Sequence, residues 1–576
     1  MSDNEKKIVE LDGRVVNLFG GLPQLTRRTF LGRAAMTSAA AFLAACGITG
    51  GPAPSGTGTS AAKKGGHFIE ADTTEVKSVN PLFFSGEEGG DWIGHMLFAG
   101  LLTGDAKGVS TPVLASAMPT VSSDEKTITF KLKQGVKWSD GKELTADDVV
   151  YTYTIHSDPA YKNTKTGQRL AGRFDSITAP DPYTIIFKLT KVWPAFLIAN
   201  AHYGIIPKSV FGSLSPDDLN TTPLNQNPTV VSGAWKMASF KQGQQVELAR
   251  NDASFMGGAS LDNYVLRQLA TSSAIVNALA TGEIDMGVLD PSLLSRVQSL
   301  SNVTVYSYVS NGCDFLYYQL DPAKPGSVFF SDVRVRQALV HALDREKMIK
   351  SIYFDQAAVG VSVMPLSSWA QTTDGVAKYP FDKAKAESLL DAAGWKMGSS
   401  GVRQKDGKDM KFEIITQSGR APYSDLVTSM VDQWRAIGVQ ATPKLLEANA
   451  ATDQRINKRD FDTLFLPLTI GADPDVTPAW HSGAAAVGQY NSGKWSNAQA
   501  DKAITDAANT NDIETRKKLY AQFQQIFMNE LPAAPLFHPK ALYGLSKRVL
   551  GVQDVLGAYD KYQRAWMRTV SVSDGK

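Results

Sequence analysis

The chain has 576 residues, of which 43% are hydrophobic and 20% charged, a composition that excludes a disordered or multi-span membrane chain; the length exceeds what one hydrophobic core serves, so two or three lobes are expected. Lys and Arg number 59 against 57 Asp and Glu, a formal net charge of +2, which gives no electrostatic reason to expect nucleic acid as a partner. The two cysteines, Cys46 and Cys313, are too far apart for a disulfide framework, and the 7 histidines form no close pair, so no metal site and no cofactor are expected.

The first element is an address. Arg27 and Arg28, within Thr26–Leu31, stand just before the apolar stretch Ala34–Ala45, the layout of a twin-arginine export signal. The stretch is shorter than the roughly 20 residues that span a bilayer, so it reads as the core of a signal peptide covering residues 1–45. Leu43–Gly47 resembles a lipobox, in which Cys46 becomes the lipidated residue and the protein's only membrane anchor. Several acyl chains on one residue would hold firmly, each buried methylene contributing about 0.8 kcal/mol. Residues 46–65 are rich in Gly, Ser, Thr, Pro and Ala and too poor in large apolar groups to order themselves, so they read as a tether. An exported, lipid-anchored, extracytoplasmic protein is the expectation.

From His67 onward no segment has the length and apolarity of a membrane span, and strand and helix signals alternate. Ile128, Phe130 and Leu132 alternate with polar residues over Thr127–Leu132 and predict a strand with one face in a core. Val136 and Trp138 continue the pattern to Asp140 and Gly141, a tight-turn pair. Thr145 and Asp148 have the spacing of a capping box and open a helix through Val149, Val150 and Tyr153. Val335, Ala338, Leu339, Ala342 and Leu343 predict one helix from about Asp332 to Ile349, its arginines turned away from the apolar stripe. A further helix starts at an Asp382 cap, packs Leu389, Leu390 and Ala393, and stops at Gly394. Another follows Asp512, carries Leu519, Phe523, Ile526 and Phe527, and ends before Pro532. No catalytic constellation is found: there is no G-x-S-x-G or H-E-x-x-H, and Gly483–Tyr490 lacks the Lys and Ser/Thr of a phosphate loop.

Phe130–Val150 resembles the signature segment of the family 5 extracellular solute-binding proteins of ABC importers, which include the oligopeptide- and dipeptide-binding proteins. Leu97–Leu102, Pro112–Ala115, Ile205–Lys208, Ser232–Lys236, Ala278–Asp285, Asp332–Leu339 and Asp344–Lys347 match further landmarks in order. The resemblance covers nearly all of residues 66–566. It implies an α/β clamshell of the periplasmic-binding-protein type with an extra lobe. Lobe I would comprise residues 66–104, 219–309 and 537–576, lobe II 105–218, and lobe III 310–536, with the chain crossing between lobes I and III and the ligand between them. It further implies a monomeric receptor, not an enzyme, whose partners are a peptide or other small solute and the permease and ATPase subunits.

The same resemblance nominates ligand-binding residues. Asp473, in Gly471–Asp475, stands where the family holds a peptide amino terminus, since burying an ammonium is costly unless a carboxylate pairs with it. Gly86, Glu88 and Trp92 fall in a segment matching a cleft-lining loop, and Asp314, Tyr317 and Trp480 are further candidates. Two departures are visible. Ser232-Gly-Ala-Trp replaces the usual Gly-Thr-Gly-Pro-Tyr, and no Asn follows Glu283–Met286, where the chain instead reads Gly287–Pro291 and offers Asp290. A peptide is therefore weighed against an oligosaccharide, a nickel chelate or an opine-like compound. A hydrolase and a purely structural surface lipoprotein complete the alternatives.

Overall fold

Thr127–Lys131 forms the expected strand, with Ile128 and Phe130 buried, in a four-stranded antiparallel sheet ordered Thr120–Val121, Thr127–Lys131, Thr184–Leu189, Phe174–Asp181. This is seen in a computed structural model that describes residues 65–83, 90–105, 107–158, 160–161, 170–420, 422–552, 556–557 and 565–574. The expected signal peptide and all of the tether before Gly65, including Arg27, Arg28 and Cys46, lie outside these residues, as do Gly86 and Glu88. The helix Ala146–Ser157 covers the sheet and opens on the expected capping box of Thr145 and Asp148, in which Asp148 reaches back to accept from the Thr145 N–H at 3.0 Å. Tyr153, Phe174, Phe187 and Phe196 meet beneath it, the last two with ring centroids 4.8 Å apart.

The larger sheet has twelve strands. One half runs Gln440–Leu446, Lys411–Gln417, Thr463–Thr469, Gly312–Tyr318; the other runs Met286–Val288, His67–Asp72, Asn263–Gln268, Gln245–Arg250, Trp235–Lys241. The single strand Ala533–Ser546 lies between them and belongs to both. Its first residues pair with Gly312–Tyr318, its middle with Ala357–Val359, and Lys540–Ser546 pair antiparallel with Val303–Val309. Both ends are buried while Pro539, Lys540 and Ala541 are half-exposed. Pro539 has no N–H to give a ladder and stands where the strand changes partners.

Two large hydrophobic cores follow this division. One draws only on residues from Cys313 to Phe537, around Trp434, Phe412, Phe523 and Phe527; the other, from Phe68 to Val572, unites the four-stranded sheet with one face of the strands from His67 onward. A third, smaller core packs the helix Ser272–Thr281 against the opposite face of those strands.

The cap at Asp382 forms as the spacing predicts, accepting from Lys385 N at 2.8 Å, and Gly394 takes the left-handed conformation at φ 89°; Asp512 likewise caps the helix that follows it, accepting from Thr515 N at 2.8 Å. The helix expected over Asp332–Ile349 is two, Val333–His341 and Arg345–Ile352. Asp344 breaks it by accepting from Lys347 N at 3.0 Å, acting as a new N-cap. Its arginines do not all face outward either. Arg334 is paired with Asp332 near the surface, but Arg336 is buried and donates to the carbonyls of Phe330, Glu530 and Leu531. Arg345, also buried, donates to those of Gly360 and Tyr379. Guanidinium groups here close helix ends and loops that have no backbone partner.

Among the described residues no helix is long and apolar enough to cross a membrane.

Candidate ligand-binding site

The chain passes between the two large cores at adjacent places, Ser310–Asn311 and Pro539–Ala541. Asn311 is buried and binds Ile470 from both ends, Nδ2 donating to the Ile470 carbonyl at 3.1 Å and the Ile470 N–H donating to Asn311 O at 3.0 Å. Ser310 Oγ donates to Pro539 O at 2.6 Å, and Ser367 Oγ donates to Ser310 O at 3.2 Å. Few residues carry the connection, so rotation there needs few backbone torsions to change.

Directly beyond Ile470 the Gly471–Asp475 turn winds on its own carboxylates. Asp475 N donates to Asp473 Oδ1 at 3.0 Å and Thr477 N to Asp475 Oδ1 at 2.9 Å, which aims the short helix Thr477–Trp480. Trp369 reaches the same turn, Nε1 donating to Ala472 O at 3.3 Å.

Asp473 is 7% exposed and ion-paired with Arg516 at 2.8 Å. Burial raises the Asp473 carboxyl above its ordinary range against the pull of Arg516, and the guanidinium, despite burial, is held protonated by that carboxylate. Arg516 also donates to Ala507 O at 2.9 Å and Tyr520 Oη at 3.2 Å and lies 5.2 Å from the Trp369 ring. Asp473 Oδ2 is buried without a hydrogen-bond partner, as is Thr477 Oγ1.

Tyr317 and Trp480 stack on each other, centroids 5.8 Å apart at 18°, in the core that holds Phe315 and Phe527. Arg455 lies over the Tyr317 ring at 4.0 Å, from a π-helical turn, Gln454–Lys458. Burial pushes the Tyr317 hydroxyl up to about 12. Asp314 is 1% exposed with its two oxygens taken by the hydroxyls of Tyr353 and Tyr423, and burial raises its carboxyl. Trp92, on the helix Gly90–Leu97, belongs to the other core; its Nε1 donates to Tyr264 Oη at 3.1 Å, and that hydroxyl donates to Glu70 at 2.9 Å. Asp290 caps the turn Pro291–Leu293, accepting from the Ser292 N–H and hydroxyl.

The structure thus brings Asp473, Tyr317 and Trp480 into the body that begins at the crossing, and it sets Trp92 and Asp290 in the other. Arg516, Arg455 and Trp369 are the neighbours that sequence reading did not single out. A charged residue in an amphipathic helix such as Ile513–Glu530 reads as solvated, and nothing local announces a partner 43 positions away. Among the described residues no group of three or more His, Cys, Asp and Glu is placed to hold a metal ion. His156, His202 and His538 are instead buried and His95 is half-buried, with pKa values lowered by desolvation to between about 3 and about 4.

The family description "Bacterial extracellular solute-binding proteins, family 5 Middle" matches residues 110–489. The oligopeptide-binding protein AppA of Bacillus subtilis is 28% identical over 512 residues, 87% of this chain and 91% of AppA. The solved structure of that protein with a nonapeptide superposes with a TM-score of 0.76 at 26% identity, covering 89% of this chain and 99% of AppA. NikZ of Campylobacter jejuni, solved with Ni(L-His), also gives a TM-score of 0.76 at 26% identity, over 88% of this chain and 99% of NikZ. The heme-binding protein A of Haemophilus influenzae is 25% identical over 78% of this chain and 83% of its own length.

Proposed function

The chain belongs to the family 5 bacterial extracellular solute-binding proteins, receptors of ABC importers and not enzymes, and from that membership we propose that it captures oligopeptides or dipeptides and hands them to a permease. The observation that carries the reading is the paired crossing at Ser310–Asn311 and Pro539–Ala541, which joins two separately cored bodies through a narrow waist. A solute held between them has higher affinity for the closed arrangement and shifts the population toward it. In this reading one body is lobe III over residues 310–536 and the other holds lobes I and II, with lobe II at 105–218. In this reading Asp473 Oδ2, the oxygen that Arg516 leaves free, accepts from the peptide ammonium. In the same reading Trp92 lines the opposite wall.

A second reading has a specific observation in its favour. Asp473 is already neutralised by Arg516, so the site brings less uncompensated negative charge to an ammonium than a free carboxylate would, and a neutral or chelated solute needs none. AppA was solved with a peptide and NikZ with a nickel chelate. Native mass spectrometry of the purified protein separates the readings. A ladder of peptide masses that is lost in Asp473→Ala supports the first, while a sugar or metal complex supports the second.

Export through Arg27 and Arg28, and anchoring through Cys46 at the outer face of the membrane, complete the proposal. Labelling cells with an alkyne fatty acid should mark the protein, and Cys46→Ser should lose the label; retained label would refute the anchor.

A further inference from the structure

Two bodies joined at a narrow waist open as far as their other contacts allow. Away from the waist, Glu125 and Asn511 form such a contact although 386 positions separate them: Glu125 Oε2 accepts from the Asn511 backbone N–H at 3.1 Å and from Asn511 Nδ2 at 2.9 Å. Glu125 lies in the turn between Thr120–Val121 and Thr127–Lys131, in the four-stranded sheet whose core holds Phe130. Asn511 joins the helices Ala498–Ala508 and Ile513–Glu530, whose core holds Ile504 and Phe523. The contact therefore bridges the two cores.

The turn is built without Asn511. Thr127 N donates to Ser122 Oγ at 2.9 Å, Lys126 N to Asp124 Oδ1 at 3.1 Å and Glu125 N to Ser122 O at 2.9 Å. Asp124 is used up inside the turn, and Glu125, at φ 58° in the left-handed region that disfavours a side chain, is left to face the other body. On the far side Asn511 precedes Asp512, the N-cap of the helix that carries Arg516 to Asp473.

We propose that Glu125 is a closure residue, a preformed hook that takes both donors of Asn511 and holds the two bodies together at the start of the Arg516 helix. Breaking the contact raises the open fraction and speeds solute release. The inference rests on the two cores and their waist, not on which solute is bound.

The test uses the full chain carrying Cys46→Ser, spin-labelled at Lys142→Cys and Lys502→Cys, two exposed lysines in the separate bodies; Cys313 is buried and stays unlabelled. Distances are measured by double electron–electron resonance without added solute. Glu125→Ala should raise the open-to-closed ratio by about tenfold, the equivalent of one charge-assisted hydrogen bond. Asn511→Ala, which keeps its backbone N–H, should shift it less, and the double variant should match Glu125→Ala alone. Glu125→Gln, of nearly the same shape, serves as the check on folding and should give a smaller shift in the same direction. Distance distributions of Glu125→Ala and Glu125→Gln that superimpose on the unsubstituted protein would overturn the proposal, as would strictly additive effects of the Glu125 and Asn511 substitutions.

Discussion

Replacing Asp473 by Ala should destabilise the body that contains it by about 3–5 kcal/mol, the cost of stranding a buried partner charge. The magnitude follows from the geometry. The ion pair is 2.8 Å long and its side chains are 1% and 3% exposed, so water cannot replace the lost carboxylate. The hydrogen-bond acceptors that remain for Arg516 are the Ala507 carbonyl and the Tyr520 hydroxyl, both neutral. Asp473→Leu combined with Arg516→Met removes both charges and both desolvation costs, and should recover most of the loss. Urea unfolding of the single and double variants, followed by tryptophan fluorescence, measures the difference. A cost below about 1 kcal/mol for Asp473→Ala, the value of an exposed pair, would refute the reasoning, as would a double variant no better than the single. The same proteins isolate the proposed role toward a peptide: the double variant should regain stability and still fail to retain peptides.

Three further outcomes follow from buried groups. His95, His156, His202 and His538 are held at about 4, 3, 3 and 4, below the ordinary 6.5. The unfolded chain therefore binds the extra protons, and stability is complete above about pH 6.5 and declines as pH falls, by up to about 1.4 kcal/mol per pH unit for each histidine. Melting temperature should drop between pH 7 and 4.5, and His156→Phe should shallow that slope by one proton; a flat profile would contradict it. Gly233→Ala would put a Cβ 2.0 Å from the Met96 carbonyl oxygen and should cost at least about 1–3 kcal/mol by overpacking, read as a lower melting temperature. Arg336→Lys cannot reproduce the fork that serves Glu530 and Leu531 and should cost about 3 kcal/mol, with unmet buried carbonyls at about 1–3 kcal/mol each. An unchanged melting curve would show that lysine or water satisfies them.

The departure at Ser232–Trp235 illustrates how a short motif acquires its meaning from distant chain. Ser232 N and Gly233 N both donate to Leu97 O, and Ser232 Oγ accepts from Ala99 N at 3.0 Å. The segment clamps the end of the helix Gly90–Leu97, and glycine is needed at 233 because the Met96 backbone approaches so closely.

Local signals were legible wherever cause and effect lie within one or two turns of chain. Alternation at Thr127–Lys131 and the cap at Asp382 act across a few residues, so spacing alone reveals them. The long contiguous resemblance of Phe130–Val150 revealed the family for the same reason. The one helix expected over Asp332–Ile349 is two because apolar periodicity runs unbroken across Asp344 while its carboxylate starts a new helix. Sequence pattern could name Asp473 and Trp480 as candidates, but not the pairing of Asp473 with Arg516, 43 positions away, or the burial of Arg336 against the Glu530 carbonyl, 194 positions away. Nor could it show that one strand with two prolines, Ala533–Ser546, serves both halves of a sheet. Periodicity and capping are properties of neighbouring residues and survive in a linear reading. Desolvation, ion pairing and the crossing between bodies depend on which distant surfaces exclude water from one another, and that is settled when the chain packs.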